Sequence, residues 1–461
     1  MVSVFLARHL SAISPTEQSM RYLFALLLLG GAAYAADVAQ ELPAKISKPS
    51  VDVYSAPDLN AERLLTLKRN DAVKIAGQKG LWYEVGAMPG KSGFVRVNDV
   101  RLAQAGRDDS GPNVLFVGKS GLGRGSETAG VRGLDENQLR IAAANNVQLE
   151  KMQSYRAAAK AAAAYARKQG LTATAVAYAA EAKPAAAGQG GATQAQKREG
   201  ISQAQGAMGR LGMGGGKTND AAEMASASAG KSEAEQQQEE LALGPALAAR
   251  VLGASPLWSD DAAQRRINLI GRWVASNTSR PDLPWTFGVI ATDEVNAFAM
   301  PGGYVLMTRG LYRRLDGDAE LAAALGHEIS HVVQRDHYNV IHKQEMTQAG
   351  AKIAMRNVKT PADGNPAAAY ARDFVEKNGA AILMRGLDRS AEYRSDEAAQ
   401  IYLARSGYNP LALYSVLQKM GSMGNKSGFL AQLYKTHPAM GKRLDQIDKR
   451  GQGVLEPYLS R

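Results

Sequence analysis

The spacing of hydrophobic residues changes along the chain and divides it into regions of different structure. Between residues 48 and 103, short alternating runs separated by Asn, Gly and Pro turns predict the strands of a small antiparallel β-barrel. Residues 105–245 carry few large apolar side chains and many Ala, Gly, Gln and Ser, a composition typical of a linker with local helix. Residues 246–461 are densely patterned with mainly helical periods. The expected fold class is therefore α+β.

Several elements can be placed inside these regions. In the last region the pattern predicts a helix capped by Ser259, strands on both sides of a turn at 301–303, and helices at about 318–336 and 389–405. Strong helix formers predict one further helix within the linker, over residues 148–170. These elements suffice for a mainly helical domain with a short sheet.

The amino terminus predicts export. Residues 20–36 place Arg21 before an apolar run and then small residues, which is the order of a secretory signal. The run is shorter than the roughly 20 residues that a membrane-spanning helix needs. We expect a signal peptide at 1–36, with Met20 as an alternative start, and a periplasmic protein whose mature chain has no transmembrane segment.

Charge and cysteine content exclude some classes of partner. Lys and Arg number 55 against 44 Asp and Glu, a formal charge of +11, but the basic residues are scattered and form no block interleaved with aromatics. We therefore expect a solvated basic surface and no nucleic-acid partner. The chain has no cysteine, which excludes a disulfide framework and a lipid-anchored cysteine.

The stretch "LGHEISHVVQRDH" carries the clearest chemistry. His327 and His331 are four residues apart, so on a helix they face the same side and can bind one zinc ion. Glu328 lies about 100° further round the helix, where it can accept a proton from water activated by the metal. The pattern predicts a zinc-dependent hydrolase with one zinc ion per chain.

Two residues compete as the third protein ligand. His337 has the spacing of the metzincin motif H-E-x-x-H-x-x-G-x-x-H, but Gln334 replaces the glycine on which the turn depends, so His337 should point away. In "LDRSAEYRSDEAA", Arg389, Glu392 and Asp396 share one helix face, as a ligand and its supporting groups would. Taken by itself, an ordinary solvated salt-bridge face is the commoner explanation of that stripe.

A family resemblance favours Glu392. "VNAFAMPGGYVLMTRGL", "ELAAALGHEISHVV", "RSAEYRSDEAA" and "THPAMGKRL" resemble, in order and spacing, the HtpX-like and CAAX prenyl endopeptidase family of zinc metallopeptidases. The resemblance implies a gluzincin-type fold over about residues 250–450, with His327, His331 and Glu392 as zinc ligands and Glu328 as the base. It also implies that Asp396 orients a ligand histidine. Ser395 replaces the usual alanine of that motif.

Two more residues are candidates for the site. The resemblance makes His437 a fourth zinc ligand or a group that stabilises the oxyanion, against a role as surface or cap residue. Asn296, before the turn, is expected to hold substrate backbone or to cap the strand.

The amino-terminal strands carry a second resemblance. The order "YSAP", "GLWYEV", "SGFVRV" resembles a bacterial Src-homology-3-like domain, which implies contact with peptide or cell wall. The alternative is a structural appendage whose Trp82, Tyr83 and Phe94 pack its own core.

The expected function is hydrolysis of peptide bonds in unfolded or misassembled envelope proteins. The absence of the membrane spans of the prenyl-protease branch indicates the soluble, exported branch of the family. The alternatives are a cell-wall hydrolase and a non-catalytic chaperone or binding protein.

Overall fold

The computed structural model describes most of the sequence regions from which the expectations were drawn. It describes residues 41–88, 91–103, 136–178, 233–341, 373–379, 387–423, 437–451 and 453–460, with the single residues 181, 203 and 383. The predicted signal peptide and much of the predicted linker lie outside these residues.

Seven antiparallel strands form the amino-terminal sheet. They are β1 (Leu42–Ile46), β2 (Ser50–Tyr54), β3 (Arg63–Lys68), β4 (Ala72–Lys79), β5 (Trp82–Met88), β6 (Lys91–Arg96) and β7 (Val100–Leu102). Their order is β3-β2-β6-β5-β4-β1-β7, and the two end strands, β3 and β7, are not paired with each other among the described residues. The antiparallel sheet is confirmed, whereas a closed barrel is not shown. Tyr83 and Phe94 are buried, and Trp82 is half-buried.

The helix predicted over residues 148–170 is two helices. The described helices up to residue 254 are α1 (Glu136–Ile141), α2 (Asn146–Ser154), α3 (Ala159–Lys168) and α4 (Glu233–Ala254). Between α2 and α3, Tyr155 donates a hydrogen bond to Asp261, and Arg156 Nε donates one to Thr286 Oγ1 at 2.8 Å. These contacts with the later domain outweigh the local helix propensity of the segment.

The described part of the predicted linker contributes to the core. Leu149 and Met152 of α2 are buried against α4, together with Leu247. Helix α4 itself runs through the expected domain boundary at residue 246, because its buried face continues on both sides of that point, with Leu243 and Val251. The packed domain therefore includes residues that composition alone assigned to a linker.

The carboxy-terminal domain has the predicted elements. They are α5 (Asp261–Ser276), β8 (Thr286–Ile290), β9 (Ala297–Met300), β10 (Tyr304–Thr308), α6 (Arg309–Tyr312), α7 (Gly317–Val333), α8 (Arg389–Arg405), α9 (Leu411–Ser422) and α10 (Met440–Arg450), with 3₁₀ turns at Pro301–Gly303 and Gly453–Tyr458. The cap of α5 is Asp260 rather than Ser259, because Asp260 Oδ1 accepts a hydrogen bond from the Ala263 amide at 2.9 Å.

A three-stranded sheet lies against the helices of this domain. Its order is β8-β10-β9, with β10 parallel to β8 and antiparallel to β9, so that β9 is an edge strand. The side chains between the sheet and the helices include Ile267, Phe287, Val305, Leu325 and Tyr402. None of the described helices is long and apolar enough to cross a bilayer.

The amino-terminal sheet packs directly on helix α9. Leu411 and Leu459 belong to the same core as the strands. Gln418 accepts a hydrogen bond from the Leu102 amide at 2.9 Å and donates one to the Val97 carbonyl at 2.7 Å. Burying a side-chain amide that satisfies two backbone groups fixes the sheet to the domain.

Candidate active site

Helix α7 presents both histidines of the HEISH motif to one point. The helix is apolar around the motif, and His327, Glu328 and His331 are all buried. The four-residue spacing brings His327 Nε2 and His331 Nε2 to 3.2 Å from each other. Two ring nitrogens that share a small space in this way suit a common cation.

Helix α8 brings a carboxylate to the same point. The helix begins because Asp388 accepts a hydrogen bond from the Ala391 amide at 2.8 Å, and Glu392 follows in its first turn. Glu392 is completely buried, with Oε2 3.5 Å from His327 Nε2 and Oε1 3.6 Å from His331 Nε2.

His437 closes the cluster from the segment before α10. Its Nδ1 lies 2.7 Å from Glu392 Oε2. The four side chains His327, His331, Glu392 and His437 each offer one ligand atom, and these atoms lie within 4.8 Å of one another. Helix α7, helix α8 and the turn before α10 thus converge on a single cluster.

The donor set and its spacing fit a zinc ion. Tetrahedral ligands about 2.0–2.1 Å from zinc stand roughly 3.3 Å apart, close to the separations around His327, His331 and Glu392. Within the part of the chain that the structure describes, buried Glu392 Oε1 has no hydrogen-bond partner, as expected of an oxygen that faces a metal. Burial alone would raise the pKa of Glu392, but His437, His327 and His331 hold that pKa well below its ordinary value, so the carboxylate is charged.

A buried ion pair stands behind His327. Asp396 Oδ1 lies 3.1 Å from His327 Nδ1, on the side of the ring away from the cluster. Arg443 Nε donates to Asp396 Oδ2 at 2.8 Å. Burial opposes ionisation of Asp396, but Arg443 and the hydrogen bond with His327 lower its pKa to about 2. A charged acceptor at Nδ1 leaves Nε2 free to bind a metal.

His331 has a corresponding pair of partners. Its Nδ1 lies 2.9 Å from Asp336 Oδ2 and 3.0 Å from Ser395 Oγ. The serine that departs from the family motif therefore lies within hydrogen-bond distance of a candidate ligand.

The chain does turn sharply after α7, contrary to expectation. Gln334 keeps a helical conformation, but the next residue, Arg335, has φ of 58°. This turn brings Asp336 back to His331 and places the His337 ring centroid 5.9 Å from that of His331. The prediction that His337 points away from the histidine pair was wrong, because the left-handed residue stands one position later than the glycine of the metzincin motif. His337 nevertheless lies outside the four-residue cluster found among the described residues.

A pocket opens beside the cluster. Its walls are Ala297, Phe298, Ala299, Glu328, His331, His337, Leu383, Leu387, Glu392 and His437. The first three belong to the edge strand β9, so a strand edge runs along the pocket. Burial lowers the pKa of His337 to about 4, and His331 adds to that effect, so its imidazole is neutral at pH 7.

Two further expected site residues stand apart from the cluster: Arg389 does not pair with Asp396 as predicted, and Asn296 lies, as predicted, at the head of its strand. Arg389 is the first residue of α8 and is exposed, so Arg443 rather than Arg389 pairs with Asp396. Asn296 is buried immediately before β9, and neither atom of its side-chain amide has a hydrogen-bond partner among the described residues. An unpaired buried amide at the pocket's strand is uncommon in proteins.

Sequence reasoning missed Arg443 and Asp336. Arg443 stands six positions after His437 within the motif "THPAMGKRL", and Asp336 directly precedes His337. Two signals were available in the sequence. Arg443 belongs to a motif that already carries a candidate ligand, and Asp336 is an acid five positions after His331.

Comparison with known proteins identifies the domain. Residues 261–451 match peptidase family M48. The chain is 28% identical over 212 residues to the beta-barrel assembly-enhancing protease of Escherichia coli (strain K12), which is 46% of this chain and 44% of that protein. It is also 28% identical over 169 residues to mitochondrial metalloendopeptidase OMA1 of Arabidopsis thaliana, 37% of this chain and 32% of that protein.

A further relative is the protease HtpX homolog of Methanopyrus kandleri, 24% identical over 234 residues, 42% of this chain and 70% of that protein. The chain spans less than half the length of the assembly-enhancing protease that it matches. The family match covers the helices that hold the cluster, and together with the HtpX homolog it confirms the HtpX-like resemblance: residues 261–451 are a peptidase family M48 domain.

Proposed function

We propose that this protein is a zinc-dependent endopeptidase that cleaves unfolded or misassembled envelope proteins. The observation that carries the proposal is the cluster of His327, His331 and Glu392, which combines zinc's preferred ligand types with separations of 3.2–3.6 Å. The M48 match at residues 261–451 supports peptide hydrolysis as the reaction.

In this proposal His327, His331 and Glu392 hold the metal, and His437 is the fourth residue at the site. A zinc ion there supplies Lewis acidity that makes water nucleophilic near neutral pH and polarises the substrate carbonyl. The position of His437 Nδ1 against Glu392, within the four-residue cluster, supports a role in which it would be the fourth ligand of a bound ion.

Glu328 is the proposed general base. It follows the first histidine on α7 and lines the pocket without belonging to the ligand cluster. Its carboxylate accepts the proton of the attacking water and then passes it to the leaving amine, so that the peptide bond breaks without a free amide anion.

The substrate backbone is proposed to lie along β9. This edge strand is paired only to β10 among the described strands, and three of its residues line the pocket. An extended peptide can add to such an edge by main-chain hydrogen bonds, a mode that selects unfolded chains over folded ones. Asn296, whose amide at the start of β9 has no partner among the described residues, is proposed to bind the substrate backbone there.

The envelope substrates and periplasmic location rest on two observations. The E. coli and Yersinia pestis relatives are named beta-barrel assembly-enhancing protease, and the amino-terminal sequence has the order of a secretory signal. Contact of the amino-terminal sheet with peptide or cell wall is an additional proposal from its resemblance.

The test uses purified full-length protein with casein, and separately with peptidoglycan, each with and without a metal chelator. We expect chelator-sensitive cleavage of casein and none of peptidoglycan. Glu328→Gln, which keeps the side chain's shape, should retain zinc and lose about 10²–10⁴-fold in rate, since it removes only the proton acceptor. Peptidoglycan cleavage would favour a cell-wall hydrolase, and the lack of any hydrolysis by zinc-loaded protein would favour a binding protein.

A further inference from the structure

One completely buried carboxylate outside the matched M48 region is bonded to two arginines. Glu240 lies on α4, before the first matched residue, 261, and has no solvent exposure. Arg280 donates to both of its oxygens, at 3.1 and 2.5 Å, and Arg335 Nε donates to Oε2 at 3.1 Å. A buried charge with three such bonds is held in one position.

Both arginines lead to the carboxy-terminal end of α7. Arg280 Nη1 also donates to the carbonyl oxygen of Val332 in the last turn of the helix, at 3.0 Å. Arg335 is the residue with φ of 58°, a conformation that a side chain with a Cβ rarely adopts. Glu240 therefore connects the end of the helix to the turn that follows it.

That turn determines the surroundings of His331. Asp336, which reaches His331 Nδ1 at 2.9 Å, is the residue immediately after Arg335, and His337 of the pocket wall comes next. If Arg335 relaxed to an ordinary negative φ, the chain direction would change and Asp336 would leave the ring nitrogen.

Helix α4 is also fixed against the active-site sheet. Gly302, with φ of 73°, packs so closely that a Cβ there would lie 2.5 Å from the Glu240 carbonyl oxygen. The turn before β10 thus fixes the position of the Glu240 backbone. The Glu240 side chain, held at that position, in turn fixes Arg335.

We propose that Glu240 is a positioning residue of the metal site: through Arg335 it holds the left-handed turn that presents Asp336 to His331. The inference rests on the proposed zinc site. If the proposal is correct, helix α4, which lies outside the matched family domain, also contributes to the active site. The bond between the Arg335 side chain and Glu240 then stabilises a positive φ that would otherwise call for glycine.

The test measures the zinc affinity of metal-free, full-length protein by competition with a chelating dye, with thermal melting as the check on folding. Arg335→Ala and Arg335→Gly both remove the bond to Glu240, but only alanine keeps the Cβ that disfavours positive φ. We expect Arg335→Ala and Glu240→Gln to bind zinc about 10-fold more weakly than the wild type, as for other losses of a ligand's orienting partner. Arg335→Gly should stay within about 3-fold, because glycine keeps the turn accessible.

The control is Glu181→Gln, which removes a carboxylate bonded to Arg405 and Tyr402 at the far end of α8. It should lower the melting temperature without changing zinc affinity. Equal zinc affinity of the alanine and glycine variants, or wild-type affinity in Glu240→Gln, would overturn the proposal. If Glu240→Gln does not fold, the Arg335 pair decides alone. Absence of zinc binding by the wild type would instead refute the proposed function.

Discussion

The site has a facing side, the proposed ligands His327, His331 and Glu392, and a supporting side, the residues that orient those ligands. The two sides draw on different parts of the chain. Two facing residues, His327 and His331, are four positions apart on one helix, and the third, Glu392, lies in the first turn of another. On the supporting side, Arg443 is 116 positions from His327, and Glu240 is 95 positions from Arg335. Regular spacing therefore reveals a ligand pair, whereas the distant supports Arg443 and Glu240 become visible only after folding.

The two sides should also differ in how strongly they control the metal. A ligand contributes a bond to the ion, whereas a supporting group only orients that ligand and raises its basicity. Substitutions on the facing side should therefore abolish zinc binding, and those on the supporting side should weaken it by a limited factor.

The largest effect is expected at the histidine pair. His327→Ala and His331→Ala each remove one of the nitrogens that stand 3.2 Å apart, so only one histidine of the helix α7 pair is left to hold the ion. Elemental analysis of dialysed protein should find about one zinc per wild-type chain and almost none in either variant. Zinc retained by both variants would mean that the metal binds elsewhere.

The second effect separates Glu392 from His337. Glu392→Ala should weaken zinc binding by more than the roughly 10–100-fold that loss of an orienting partner costs. His337→Ala should keep the affinity of the wild type, because its ring lies on the pocket wall and outside the four-residue cluster. Any loss of hydrolysis in His337→Ala should appear in KM. The reverse result, zinc lost with His337 and kept without Glu392, would exclude Glu392 as a ligand.

Local pattern predicted the helices of the facing side because each is defined within a short stretch, whereas the choice of Glu392 as a ligand came from the family resemblance. Helices α7 and α8 follow their apolar periods and caps, and α8 was expected at its observed limits, Arg389–Arg405. The same reasoning failed where tertiary contacts decide. Arg335 adopts positive φ because buried Glu240 binds it, and no residue close to it in sequence predicts that conformation.

The described helices of the predicted linker pack against the later domain for a related reason. These helices have few large apolar side chains, but Leu149 and Met152 fit against α4, and Ala162 packs closely because it is small. Composition measures how much apolar area a segment carries, not whether another element is shaped to receive it.

A smaller effect is expected at the support of His327. Arg443→Met leaves Asp396 buried without its cation, so the carboxylate no longer holds the histidine reliably. We expect zinc affinity to fall about 10–100-fold and the free energy of unfolding to fall by about 3–5 kcal/mol. The matched control is Arg450→Met, which removes a partly exposed pair with Glu397 and should cost at most about 1 kcal/mol. Wild-type zinc affinity in Arg443→Met would remove Arg443 from the supporting side.

The smallest effect on the metal is expected where the amino-terminal sheet meets α9. Gln418→Ala leaves the Leu102 amide and the Val97 carbonyl buried without their partner, at a cost of about 1–3 kcal/mol for each unsatisfied group. Zinc affinity should not change, since Gln418 contacts neither the ligands nor their supports. Ser422→Ala on the same helix, which removes only a hydrogen bond to the Lys419 carbonyl within α9, is the control for a local loss. Denaturant unfolding and zinc titration of the same variants would show whether stability and zinc affinity change independently. If zinc affinity falls in proportion to the loss of stability, the amino-terminal sheet belongs to the supporting side. Its contact with α9 would then influence the ligand cluster through that helix.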